Sequence, residues 1–229
     1  LAELHGVHPA RIHLGASGSE FIMRMTAAVR GLGGEGVHAP RPGYADYARA
    51  AAAFGMALAP ACEAHLVWHG EPASPTGQAL APPRLASRAV GVADMAYAPL
   101  RLDGASGEAE GYWQLWTPNK ALGLTGVRAA YAVAPATADD ALAQALDALV
   151  PSWPIGTHGV AMLQGWAQPN VQKWVRDCLP VLREWKLRQL LLCESLGWKC
   201  LPGAASFFCA QARTGDLPDL VSHLRSAHD

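Results

Sequence analysis

Lys120, one of only four lysines, lies in the run TPNKALGLTGVRAAYAVA, between an apolar stretch that reads as a strand and a glycine-bearing turn. A lysine amine placed there can form a Schiff base with an aldehyde cofactor if burial or a nearby positive charge depresses its pKa. The plainer alternative is a solvated loop lysine. Arg128 opens the next β-rich run, where a guanidinium can clamp a phosphate with two parallel hydrogen bonds or simply serve as a surface arginine. Asp94 closes another apolar run, with Tyr97 three residues later. A carboxylate held against a pyridine nitrogen keeps that nitrogen protonated, so the ring can withdraw electrons from a substrate carbanion, while a tyrosine hydroxyl can bond the ring's phenolic oxygen. A helix cap and a packed aromatic are the ordinary readings of the same two residues.

The loop Gly15-Ala16-Ser17-Gly18-Ser19 runs directly into a helical pattern, and free backbone N–H groups at a helix start attract anions. It lacks the lysine of a Walker A loop and matches neither G-x-G-x-x-G nor G-x-S-x-G. Tyr44, in RPGYADY, can lie flat on a cofactor ring or pack in the core.

The elements that must position these residues follow from periodicity. Apolar spacing near 3.6 predicts helices over Glu20–Arg30, Tyr44–Phe54, Thr137–Val150 and Val171–Leu196. Short β-branched or aromatic runs predict strands over His65–His69, Ala89–Ala93, Tyr112–Thr117, Arg128–Ala134 and Ser206–Ala210. The alternation points to an α/β fold with a mainly parallel sheet, in which ligands gather beyond the carboxyl ends of the strands. Ser74, Asp94 and Lys120 all fall there. The proline-flanked stretch Val150–Pro154 marks a boundary, with a large domain over 1–150 and connecting helices plus part of a smaller α+β domain over 151–229.

With 18 basic and 19 acidic side chains, the charge balance gives nucleic acid or an anionic membrane no purchase. The five cysteines form no C-x-x-C pair, which fits reduced thiols in the cytoplasm. Apolar runs fall well short of a membrane span, and no signal peptide is legible at the start. The nine histidines show no H-E-x-x-H spacing, so no metal site is expected and a metal-based hydrolase has little support.

Taken in order, the motifs resemble those of fold type I pyridoxal-phosphate aminotransferases of class I/II, in the branch of histidinol-phosphate aminotransferase and threonine-phosphate decarboxylase. TPNKALGLTGVRAAYAVA is similar to the family's S-x-x-K-x-x-G-L-x-G-x-R-x-G-Y signature, EPASPTGQ to N-P-N-N-P-T-G, VADMAYAPL to D-E-A-Y and PGYADY to P-x-Y-x-x-Y. The resemblance spans Leu14 to Phe208 and implies a three-layer α/β/α large domain that binds pyridoxal 5′-phosphate. It makes Lys120 the Schiff-base lysine, Asp94 the partner of the pyridine nitrogen, Tyr97 the contact of the phenolic oxygen and Tyr44 the stacking ring. Arg128, Thr117, Asn119 and the amides of Ala16 and Ser17 would hold the phosphate.

The resemblance further implies a homodimer that moves an amino group between a small amino donor and a 2-oxo acid, with histidinol phosphate and 2-oxoglutarate the first pair expected. Decarboxylation of threonine phosphate is the alternative within the same cofactor class, and a cofactor-binding protein without turnover the alternative outside it. Three positions depart from the pattern: Ser74 stands where the family has an asparagine that bonds the ring oxygen, Met95 replaces a glutamate, and Asn119 replaces a serine. The segments between Phe54 and Val67 and between Pro82 and Asp94 are short for the family, and the arginine that grips a substrate carboxylate has no counterpart before Asp229. These gaps are read as segments missing from an otherwise well-kept chain.

Overall fold

In the computed structural model, which describes residues 1–105, 107, 109–212 and 217–228, a seven-stranded sheet occupies the first part of the chain. Its strands are β1 (Ile12–Gly15), β2 (Gly36–His38), β3 (Ala57–Leu58), β4 (Leu66–Gly70), β5 (Val90–Asp94), β6 (Trp113–Trp116) and β7 (Ala130–Val133). They lie in the order β1-β7-β6-β5-β4-β2-β3. The run from β3 through β6 is parallel, and β7 pairs antiparallel with both β6 and β1. Leu66, Val67, Trp68 and His69 of β4 are all buried, because a central parallel strand is covered on both faces and has no solvent side to alternate with.

The helices are α1 (Ala2–His5), α2 (Gly18–Gly31), α3 (Ala45–Ala53), α4 (Asp140–Ala148), α5 (Thr157–Trp166), α6 (Pro169–Ser195) and α7 (Leu217–His228). α2 buries Phe21, Ile22, Met25, Ala28 and Val29, one helical stripe, against Trp68, Leu115 and Ala132 of the sheet. α4 starts at Asp139, whose carboxylate accepts the Ala141 amide at 2.9 Å, and seals the same layer with Leu142 and Leu146. On the opposite face Met162, Leu163 and Trp166 of α5 pack with Tyr131 and Val133. The result is an α/β fold with helices flanking a mainly parallel sheet.

A two-stranded antiparallel ladder, β8 (Lys199–Cys200) with β9 (Ala210–Gln211), follows α6. The strand expected over Ser206–Ala210 is therefore reduced to its last residue, and the strand expected from Arg128 begins only at Ala130. The connection from β4 to β5 carries no helix. Among the described residues no helix is long and apolar enough to cross a membrane.

Candidate active site

Parallel pairing sets Asp94 of β5 opposite Leu115 of β6, so both strands deliver their following residues to one edge of the sheet. Asp94 ends β5, and Thr117, Asn119 and Lys120 follow β6 in a tight turn. Two adjoining cavities open there. One, about 70 Å³, is lined by Tyr44, Tyr47, Ser74, Asp94, Tyr97 and Lys120. The other, about 230 Å³, is lined by Ser17, Ser19, Thr117, Asn119, Lys120 and Arg128 among others. Tyr44, Asp94 and Lys120 line both, which joins them into one elongated site.

At the smaller end Asp94 is held from two sides. The Tyr47 hydroxyl donates to Oδ2 at 2.7 Å and the Ala96 amide to Oδ1 at 3.0 Å. Burial pushes the Asp94 carboxyl above its usual range, while the Tyr47 bond and the charge of Lys120 oppose that rise. Lys120 donates from Nζ to Thr117 Oγ1 at 3.1 Å and lies 5.5 Å from the centre of the Tyr97 ring. Burial lowers its pKa, Asp94 pulls it back up and Arg128 lowers it further. Burial also raises the Tyr97 phenol, whose ring meets Phe207 edge-on at 4.6 Å.

At the larger end α2 begins with a reciprocal cap. Ser17 Oγ accepts the Glu20 amide at 3.0 Å, and Glu20 Oε2 accepts the Ala16 amide at 3.0 Å. The Ala16 amide expected to be a free donor is therefore already paired. Ser17, Gly18 and Ser19 keep backbone N–H groups with no acceptor among the described residues, the usual condition of a first helical turn. The Ser19 hydroxyl gives its one proton to Asp46 Oδ2 at 2.6 Å, so across 3.2 Å the Tyr44 hydroxyl donates to Ser19. Asn119 Nδ2 and Arg128 Nη1 both donate to Thr125 O, at 3.5 and 3.2 Å, leaving most guanidinium donors unspent. Gly18 is small for a reason: a Cβ there would meet Thr117 Cγ2 at 2.8 Å.

All ten residues singled out from the sequence sit at this edge, although Ala16 does so with its donor occupied. Met95 turns into the core beside Ala93 and Tyr112, away from the site. Sequence reasoning missed Tyr47, one helical turn after Tyr44 and signalled by the Y-x-x-Y spacing, and Glu20, signalled by Ser17-x-x-Glu20. It also missed Glu71, buried at 3% exposure, which takes a hydrogen bond from Arg101 and lies 3.6 Å from His69 Nε2.

Fold and site together define an α/β protein with a lysine and a carboxylate facing one pocket and a cluster of anion donors beside it. The chain belongs to the aminotransferase class I and II family, whose model matches residues 51–216. The cofactor of that family is pyridoxal 5′-phosphate. Histidinol-phosphate aminotransferase from Sinorhizobium meliloti, solved in complex with pyridoxal 5′-phosphate, is 22% identical, with 99% of this chain and 69% of that one covered at a TM-score of 0.79. L-threonine-O-3-phosphate decarboxylase from Porphyromonas gingivalis is 15% identical, with 99% and 74% covered and a TM-score of 0.72. N-Succinyldiaminopimelate aminotransferase from Mycobacterium tuberculosis is 17% identical, with 95% and 66% covered and a TM-score of 0.74. At these identities the likeness establishes the fold. No curated protein sequence matches the chain.

Proposed function

We propose that this chain carries out amino-group transfer with pyridoxal 5′-phosphate held in the joined cavities. The carrying observation is that Lys120, its amine pKa lowered by burial, and the half-buried Asp94 carboxylate line one pocket at the ends of neighbouring strands. The two cavities share Tyr44, Asp94 and Lys120, so one small ligand can reach from one into the other. The donors also suit the group. The amides of Ser17, Gly18 and Ser19, the Ser17 and Thr117 hydroxyls and Arg128 face the phosphate end, and a lone carboxylate faces the ring end.

When bound, the cofactor supplies an aldehyde that exchanges with amines and an electron-withdrawing ring that stabilises negative charge at the substrate Cα. Lys120 would hold the cofactor covalently, and its Nζ, once displaced by the substrate amine, would be the base placed to take the proton from the substrate Cα. Asp94, whose charged form the Tyr47 hydroxyl and the Ala96 amide favour against the effect of burial, would face the ring nitrogen and favour a proton there. Tyr97 would donate toward the phenolic oxygen, Tyr44 would lie along the ring, and Ser74, with a side chain shorter than asparagine, would reach that oxygen through a water. Asn119 braces the Lys120 turn through Thr125, and the Ala16 amide fixes Glu20 so that α2 presents its free amides.

The substrate pair put forward is histidinol phosphate with 2-oxoglutarate, supported by the motif order and by the fold shared with histidinol-phosphate aminotransferases. Threonine phosphate decarboxylation is a second reading, favoured by the equally complete overlay on a threonine-phosphate decarboxylase. Residues 1–150 are taken as the large domain and 151–229 as connecting helices and part of the small one, acting in the cytoplasm as a homodimer.

The test is the visible absorbance of the protein with pyridoxal phosphate, wild type against Lys120→Ala, followed by candidate donors one at a time. A Lys120-dependent band that histidinol phosphate discharges and 2-oxoglutarate restores supports the transaminase reading. Carbon dioxide release from threonine phosphate without any 2-oxo acid supports the second. Identical spectra for wild type and variant would sink both.

A further inference from the structure

Lys186 of α6 is 8% exposed, yet none of the site residues uses it. Its ammonium donates to two backbone carbonyls, Gly203 O and, at 2.9 Å, Ala205 O. Burying an ammonium against backbone carbonyls is costly; burial lowers its pKa and the charge of Asp103 only partly opposes that, so its place calls for a physical reason.

That reason lies in the hydrogen bonding of residues 203–205, which cross between β8 and β9 with a single antiparallel bridge, Ala205 to Arg101, in place of a ladder. The amides of Ala204 and Ala205 both donate to Gly77 O, at 2.6 and 3.0 Å. The Ala204 carbonyl accepts the Leu102 amide at 2.7 Å. Only the carbonyls of Gly203 and Ala205 then lack a backbone donor, and Lys186 supplies both. One turn earlier on α6, Arg183 donates to Leu102 O, so the helix grips both sides of the Leu102–Ala204 contact.

The segment held in this way continues into the site. It rests on the Ser74–Gly77 turn, with Cys209 Sγ donating to Pro75 O at 3.3 Å, and it carries Phe207 to the edge of Tyr97 at 4.6 Å. Tyr97 in turn lies under Lys120 Nζ. We propose that Lys186 is a positioning residue for Tyr97: by capping the 203 and 205 carbonyls it seats Phe207, and Phe207 fixes the angle at which the Tyr97 ring meets Lys120. In its consequence for the cofactor's phenolic oxygen this rests on the functional reading above; in its geometry it does not.

The chain has five tyrosines, few enough for each to be followed by ring-labelled ¹³C NMR of the cofactor-free protein, with Tyr97→Phe assigning the resonance of interest. Lys186→Met keeps the stem and removes the donors, Lys186→Arg keeps the charge and donors, and Phe207→Leu removes the edge contact. The methionine variant is expected to move the Tyr97 resonance in the same direction as Phe207→Leu, and the arginine variant to leave it near the wild-type position. If the methionine variant does not fold, Lys186→Gln, which shortens the stem and removes the charge, is read in its place.

A second readout uses the protein with pyridoxal phosphate. Loss of a donor to the phenolic oxygen raises the pH at which the visible band titrates, so Tyr97→Phe is expected to raise it and Lys186→Met to raise it less. An unmoved Tyr97 resonance in a folded methionine or glutamine variant overturns the proposal. A shifted resonance in a protein that shows no Lys120-dependent band upholds the positioning role and overturns the functional reading instead.

Discussion

The Tyr47 hydroxyl and the Asp94 carboxylate are joined by a 2.7 Å hydrogen bond, and the Tyr47 ring stacks on Trp68 at 4.8 Å with its plane tilted by 7°. A residue of α3 thus fixes the carboxylate at the end of β5 through a ring locked into the core. Hydrogen bonds to charged groups contribute about 1.5–3 kcal/mol, so Tyr47→Phe is expected to weaken pyridoxal phosphate binding about tenfold or more. Equilibrium titration by absorbance measures this, and an unchanged affinity would mean that Asp94 does not depend on Tyr47.

Asp94 also gives the cofactor-free protein a pH signature. Its carboxyl is raised by burial when folded, so between the unfolded and folded pKa values the folded chain binds more protons. Stability from this group is present below the unfolded pKa and is lost as pH rises through the folded one. Asp94→Asn removes the charge; its Oδ1 can accept the Ala96 amide and its Nδ2 can donate to the Tyr47 oxygen, so both contacts keep a donor and an acceptor. The variant should be more stable than wild type at neutral pH, and the gap should close as pH falls through the Asp94 pKa. Urea unfolding across that range is the check, and a variant less stable at neutral pH contradicts it.

Gly18→Ala introduces a methyl 2.8 Å from Thr117 Cγ2, between the first turn of α2 and the strand end that carries Lys120. Overpacking of this kind costs about 1–3 kcal/mol, and here it pushes apart the donors that the proposed function assigns to one phosphate. The variant should fold, lose on the order of tenfold in cofactor affinity, and keep its deficit when pyridoxal, which lacks the phosphate, shows none. An equal loss for both ligands would place the damage elsewhere.

Arg101 and Glu71 form a buried ion pair, with exposures of 10% and 3% for the side chains. Removing one partner leaves a buried charge unpaired, which costs about 3–5 kcal/mol, whereas removing both with matched shapes is far milder. Arg101→Met is therefore expected to be strongly destabilising, and Arg101→Met with Glu71→Gln to recover most of the loss in thermal or urea unfolding. Additive losses in the double variant would show that the two residues do not act as a pair.

The sequence made the architecture and the chemical residues legible where local chemistry carries the information. The buried strand β4 reads as a nearly continuous apolar run, and α2 and α4 show helical stripes that packing preserves. β1 and β2, at four and three residues, are too short to show alternation and exist because neighbours pair with them. α5 escaped notice because glycines at 159 and 165 dilute its stripe, although Gly159 is required where a Cβ would meet Arg128 O at 2.6 Å. Ser206–Ala210 has strand composition, yet the segment leading into it is clamped by Gly77, Leu102 and Lys186 rather than by a ladder. Residue identity pointed to Lys120 and Asp94; the bonds that prepare them, from Tyr47 and Glu20, depend on which side chains a turn of helix brings together.

The pairing of β1 with β7 sets Ile12 against Val133 and Gly15 against Ala130. The strand that leads into the free amides of Ser17–Ser19 is synthesised before β7, but among the described strands it pairs with β7 alone. Pairings this distant in sequence form slowly and late. On the proposed function, a ribosome-bound chain that has passed Lys120 but not Val133 would carry the lysine without the paired β1 that leads to those amides, so tight capture of a phosphorylated ligand would report that β7 has been laid in.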